Sequence, residues 1–160
     1  TNSEIFRKFI LNRKSKLNYK SDLLLIMASR SENIDKILKK NYGKKIILID
    51  RFIDSTIAYQ HYGMGINLDL INKLNKFILD GFQPSFTFLS IVNKINMKSR
   101  LSKRFSLNKY DKFNSSFYNK VQNGFLRLSR SKKNYLIIDS NKNNIKKNSQ
   151  IIINKIKKLI

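Results

Sequence analysis

Asp50 and Arg51 follow directly on four aliphatic residues, Ile46, Ile47, Leu48 and Ile49, and Ser55, Thr56, Tyr59, Gln60 and Gly63 come soon after. An apolar run this short, bounded by charges, predicts a buried parallel strand over 46–50. In open α/β sheets, ligands bind just beyond the carboxyl ends of such strands. A carboxylate there suits a hydrated metal ion, and a guanidinium suits the fork of a phosphate. The chemistry open to this pair is therefore the handling of a phosphorylated ligand.

The ordered set Asp50-Arg51-Phe52-Ile53-Asp54-Ser55-Thr56-Ile57-Ala58-Tyr59-Gln60, with Gly63-Met64-Gly65 after it, resembles the signature of thymidylate kinases. That family carries Asp-Arg-aromatic, then Ser, then Ala-Tyr-Gln and a Gly-x-Gly turn. An ordered motif in its expected strand–turn–helix setting outweighs a lone Asp-Arg pair. By this resemblance Arg51 holds the phosphate of the acceptor nucleotide, and Asp50 helps to place Mg2+ through water. Ser55 and Thr56 stand beside the base and the phosphate. Tyr59 packs beside the deoxyribose and leaves no room for a 2′-hydroxyl, and the Gln60 amide can satisfy a base edge.

The likeness extends, unevenly, over nearly the whole chain. Leu23-Leu24-Leu25-Ile26-Met27-Ala28-Ser29-Arg30 is similar to the helix that lines the thymidine pocket. Ile26 stands where the family usually has a Phe that stacks on the base, and Ser29 replaces a usual Asp. Arg30 matches the arginine that reaches a thymine carbonyl oxygen, an acceptor that suits a donor-only guanidinium. Residues 98–111 resemble the lid over the phosphates. Lys98, Arg100, Lys103, Arg104 and Lys109 precede Tyr110-Asp111 there, and lid cations stabilise the charge of the transferring phosphoryl group. Lys109 and Met64 stand where the family commonly has Arg, and lysine keeps the charge but not the fork. Asp139-Ser140 resembles the turn near the donor adenine. Ser90 stands where an acid often follows the strand, and His61, the single histidine, is given no chemistry.

The resemblance implies transfer of the γ-phosphoryl group of ATP to the 5′-phosphate of dTMP, with Mg2+ present and no covalent enzyme intermediate, so catalysis is positioning plus charge stabilisation. It also implies a homodimer. A kinase of this type needs Gly-x-x-x-x-Gly-Lys-Ser/Thr to cradle the donor phosphates. Gly43-Lys44-Lys45, Gly63 and Gly65 do not supply that pattern. In the family the loop precedes the region where Thr1 begins. The expectation is an N-terminally incomplete chain lacking the first strand, the loop, the helix after it and the second strand. Such a chain should fold poorly by itself and should not turn over ATP. The alternatives are a degenerate relative that binds nucleotide without catalysis, a basic nucleic-acid-binding protein, and a deoxynucleoside kinase, which the Tyr59-Gln60 pair and the glycine turn fit less well.

Composition narrows the classes further. The 160 residues suit one domain over 1–160, and a hydrophobic fraction of 41% suffices for a core. With no cysteine and one histidine, disulfide frameworks and His/Cys zinc sites are excluded. The apolar run at 23–28 falls far short of the ~20 residues of a membrane span, no signal segment opens the chain, and cytoplasm is the default. The net charge of +23 invites a nucleic-acid reading. The excess is mainly lysine spread along the chain with abundant Asn and Ile, residues with AT-rich codons, and it lacks an aromatic single-strand platform. A basic surface still attracts anionic nucleotides.

The elements that must position these residues follow from periodicity. Ser3 is expected to cap a first helix carrying Phe6, Phe9 and Ile10. Ser21 and Asp22 open a longer helix to about 40, with Leu24, Met27, Ile34, Ile37 and Leu38 inside, and Gly43 ends it. Asn67 caps a helix that Gly81 stops near 80. Strands are expected at 44–50, 86–92 and 135–139, with a lid region at about 93–111 and a helix over 112–131. Asn143 or Asn144 starts a last amphipathic helix with Ile151, Ile152, Ile156 and Ile160. Strands alternating with long helices predict an α/β fold with a parallel sheet. The resemblance makes it the three-layer, five-stranded sheet of P-loop nucleoside monophosphate kinases. With the central strand absent, 46–50 and 86–91 should share that sheet without being hydrogen-bonded neighbours.

Overall fold

Asparagine, abundant in this chain, starts most of its helices. Asn18, Asn67, Asn93, Asn114 and Asn144 each accept, at 2.8–3.0 Å, the backbone N–H of the residue three positions ahead. Each satisfies one of the donors that a helix start leaves unpaired, worth about 1 kcal/mol. The computed structural model describes residues 1–160. In chain order the helices are α1 Asn2–Leu11, α2 Tyr19–Asn33, α3 Lys39–Asn41, α4 Ile53–Thr56, α5 Leu68–Leu79, α6 Lys94–Ser102, α7 Ser115–Arg130 and α8 Ile145–Ile156. A π-helical turn, Ile34–Leu38, joins α2 to α3, and a second, Ile57–Gly63, extends α4. The strands are β1 Thr87–Ile91 and β2 Tyr135–Asp139.

The chain divides into two compact units, Thr1–Gln83 with Ser106–Phe125, and Pro84–Phe105 with Leu126–Ile160. In the first, Leu23, Met27, Ile34 and Leu38 recur at helical spacing and are buried, as are Ile53, Ile57, Ala58, Ile71 and Leu79. Both α1 and α5 pack on α2. Phe117 and Val121 of α7 form a cluster with Ala58, flanked by Tyr59, Met64, Phe113 and Phe125. Close approach there depends on Gly63, where a Cβ would lie 2.7 Å from Cε2 of Phe117, and beside the cluster on Gly124, where one would lie 2.5 Å from Cδ2 of Tyr62. In the second unit β1 and β2 pair in parallel, from Thr87 opposite Tyr135 to Ile91 opposite Asp139, with Leu89 and Ile138 buried. No helix is long and apolar enough to cross a membrane.

Four sequence expectations are corrected. The segment 44–50 is not a strand, and the sheet consists of β1 and β2 alone. A strand exists only through a ladder partner, and without one Ile46 and Leu48 are left 59% and 75% exposed. The expectation that 46–50 shares the sheet with β1, one strand removed from it, falls with that strand. Ser3 is not a cap: Thr1 is, and Ser3 is buried in the first turn of α1. The long helix starts at Asn18 rather than Ser21, because the Asn18 side chain takes the cap bond from Ser21 N–H. Its interior also differs, since Leu24 and Ile37 are exposed. The stop near 80 is made by Asp80 and Gly81, both with positive φ, at 49° and 83°.

Candidate functional site

Arg51 is the backbone outlier of the first unit's central segment, with φ 63°. A non-glycine residue pays for a left-handed conformation, and such residues concentrate where a side chain must be aimed. Here the turn brings the Arg51 guanidinium over the ring of Tyr59, 5.2 Å from its centroid. Desolvation acts to lower the pKa of Arg51, but Tyr59, Asp50 and Tyr110 outweigh it, so the net shift is upward. Asp50 itself is exposed next to this turn. Tyr59 and Gln60 lie in the π-helical turn, a distortion that often marks functional positions.

One turn before Tyr59, Thr56 receives a 2.5 Å hydrogen bond from Nη2 of Arg30, which also donates to the Phe52 carbonyl at 3.1 Å. The other terminal nitrogen of Arg30 donates to Oδ1 of Asn75 at 2.7 Å. Arg30 is only 8% exposed, and burial pushes its pKa down to about 10, with the Asp54 charge opposing. Thr56 and Gln60 are buried, while Ile26, Ser55 and Tyr59 are half-buried. The fold thus joins Arg30 to Thr56 and Arg51 to Tyr59 on one helical segment. His61 is spent on structure, its Nδ1 lying 2.8 Å from the Ile66 carbonyl.

The expected lid residues fall into both units. Lys109 belongs to the first, where its ammonium lies 2.9 and 2.7 Å from the two carboxylate oxygens of Asp22 and donates to the Leu17 carbonyl at 3.1 Å. These contacts anchor its own segment, and its reading as a lid cation becomes a matter of whether that ammonium also reaches a phosphate. Arg100 and Arg104 belong to the second unit, on and just after α6. Arg100 donates to the Ser140 carbonyl at 2.8 Å, so two predicted site residues meet there. The Ser140 hydroxyl lies 2.5 Å from that of Ser90. The Asp139 carboxylate accepts from the Asn141 backbone at 2.9 Å and from its side chain at 2.7 Å, and the backbone bond leads in holding its pKa low.

Three residues of this site escaped the sequence reading. Asn75 and Asp22 are polar residues on buried helix faces, Asn75 between Ile71 and Leu79, and Asp22 beside Leu23. A polar residue in an apolar stripe is the signal that could have found them. Tyr110 packs edge-on to Tyr59 with centroids 5.6 Å apart. Its hydroxyl is buried without a well-formed hydrogen bond, and burial, then the Asp22 charge, push its pKa up while Gln60 softens the shift. A cavity of about 460 Å3 opens in this unit between Ile53, Asn75, Lys76 and Leu79, and Asn75 links it to Arg30. No group of three or more His, Cys, Asp or Glu residues that could hold a metal is found.

Comparison with known proteins places this geometry. The family model for thymidylate kinase matches residues 2–152. The thymidylate kinase of Wolbachia sp. subsp. Brugia malayi is 41% identical over 117 residues, 72% of this chain and 55% of the relative. That of Kosmotoga olearia is 33% identical over 155 residues, 93% of this chain and 73% of the relative. The crystal structure of thymidylate kinase from Ehrlichia chaffeensis superposes with a TM-score of 0.60 at 34% identity, covering 77% of this chain and 59% of that one. The chain thus spans from little more than half to about three quarters of the length of these relatives. Mixed α/β architecture with a parallel sheet, the Asp50–Gln60 segment and the match over nearly the full length agree: the chain belongs to the thymidylate kinase family.

Proposed function

We propose that this chain carries the acceptor site of a thymidylate kinase, which transfers the γ-phosphoryl group of ATP to dTMP to give dTDP and ADP. The observation that carries the reading is the left-handed turn at Arg51, which holds a guanidinium over Tyr59 one turn from the Arg30–Thr56 pair. Arg51 would bind the acceptor phosphate through its fork. Arg30, Ser55, Thr56 and Gln60 would read the base, with Ile26 as an apolar wall, and Tyr59 would exclude a 2′-hydroxyl. Arg100 and Arg104 would offset charge on the transferring group, with Lys109 anchoring the 93–111 lid region. Asp139 and Ser140 would form the turn near the adenine. The chain acts in the cytoplasm, as a homodimer.

Mg2+ fits this donor set in one way. A single exposed carboxylate, Asp50, is a poor cage for a bare ion but suits one that keeps its waters and takes its other ligands from phosphates. When bound, the ion would neutralise phosphate charge, and the chain's own part is to hold Arg51 and Asp50 side by side.

Isothermal titration of the chain with dTMP, dUMP and UMP tests the reading without requiring turnover. Binding of dTMP that Arg51→Ala removes, and a preference over UMP that Tyr59→Ala relaxes, are expected. No dTMP binding by the parent, or equal binding by the Arg51→Ala protein, would refute it.

A further inference from the structure

Arg30 is a buried cation held by neutral acceptors: the Phe52 carbonyl, the Thr56 hydroxyl and the Asn75 amide oxygen, with the Met27 sulfur 3.6 Å away and the Phe52 ring 5.3 Å from Cζ. Phe52 and Thr56 belong to the candidate site itself. Asn75 reaches that site from a different element, α5, 45 residues along the chain, and no role has been given to that helix.

Asn75 is 4% exposed, on the stripe of α5 that also buries Ile71 and Leu79. An aliphatic residue there would continue the stripe but would leave Arg30 Nη1 without its Asn75 acceptor. Asn75 instead leaves its Nδ2 buried without a hydrogen-bond partner, and an orphaned buried donor costs stability. Turning the amide over would not remove that cost, because Nδ2 would then face the Arg30 donor. The side chain is thus fixed with its oxygen toward Arg30, at a cost met by nothing else it touches. A buried donor left unpaired in exchange for a fixed guanidinium fits a positioning role better than a packing one.

We propose that Asn75 is a positioning residue, whose amide oxygen sets the plane of the Arg30 guanidinium and thereby the selection of a base bearing a carbonyl where cytosine bears an amino group. The assignment rests on the proposed acceptor site. A guanidinium only donates, so it favours the thymine O4 acceptor over the cytosine amino donor, and only when its N–H groups are held at the right angle.

The test uses chain labelled with 15N-arginine. In the parent, Arg30 should give resolved terminal-nitrogen signals from hindered rotation, and dTMP should bind more tightly than dCMP. Asn75→Leu should merge those signals and reduce the dTMP-to-dCMP affinity ratio by about tenfold, the worth of one good hydrogen bond. Asn75→Asp, which keeps an acceptor oxygen, should preserve both, and Asn72→Ala on the same helix is the control. Merged signals in the parent would overturn the proposal even if Asn75→Leu fails to fold. So would an unchanged ratio in Asn75→Leu, or equal shifts in Asn75→Leu and the control. A parent that binds neither nucleotide would sink the acceptor-site reading and this assignment with it. A parent that binds dTMP with merged Arg30 signals would sink the assignment alone.

Discussion

Replacing Lys109 by Met should cost this protein more than removing any other surface-facing lysine. Asp22 is fully buried and the Lys109 side chain is 13% exposed. The ammonium contacts both carboxylate oxygens and the Leu17 carbonyl, so one substitution strips a buried carboxylate of its cation and frees a backbone acceptor. Breaking a buried pair from one side costs about 3–5 kcal/mol, whereas replacing both partners with apolar groups is often neutral. Against a typical total of roughly 5–15 kcal/mol, the single variant would be marginal. With a urea m-value near ~2 kcal/mol/M, its midpoint should fall by about 2 M. Circular dichroism in urea on the parent, Asp22→Leu, Lys109→Met and the double variant closes the cycle. The double variant should recover most of the loss, with a coupling of at least ~2 kcal/mol. Additive losses, or a fall of under ~0.5 M for Lys109→Met, would refute the reasoning. A folded Lys109→Met protein that had lost phosphate binding would return the lysine to the lid role its sequence position suggests.

Tyr110→Phe removes a buried hydroxyl that lacks a well-formed bond and should stabilise by about 1 kcal/mol; a lower melting temperature would show that Gln60 or a bound water satisfies it. Gly124→Ala places a methyl group 2.5 Å from the Tyr62 ring and 2.9 Å from its Cβ, so it should destabilise by ~1–3 kcal/mol, where an exposed helix would gain from alanine; urea midpoints decide the sign. Burial pushes the folded pKa of Arg30 down to about 10, well below the ordinary guanidinium range, so from there up to that range the folded state binds fewer protons than the unfolded one. Its charge-burial cost is therefore constant below pH ~9 and eases as pH rises through 10. The stability of the parent relative to Arg30→Met should be flat from pH 6 to 9 and rise above that, and a slope near neutrality would contradict the burial argument.

Local rules reach far in this chain. Asn67, Gly81 and Asn144 bound their helices much as propensity and capping demand, because a cap bond closes within three residues and an amphipathic stripe repeats within four. Asp50 to Gln60 declares the family from residue order alone, while the stacking of Arg51 on Tyr59 appears only in the structure. What the sequence could not reveal is set by partners distant along the chain. Ile46–Ile49 has the composition of a strand, yet strand status belongs to a ladder, and none forms. Lys109 reads as one more cation in a basic run until the fold brings it to Asp22, 87 residues away. Arg30 reads as a base-facing arginine, and only the fold shows that α5 delivers Asn75 to it. Segments of short range are decided by backbone geometry and side-chain period, which a sequence displays. The protonation, orientation and accessibility of a side chain depend on which groups share its burial, and only the tertiary structure chooses those.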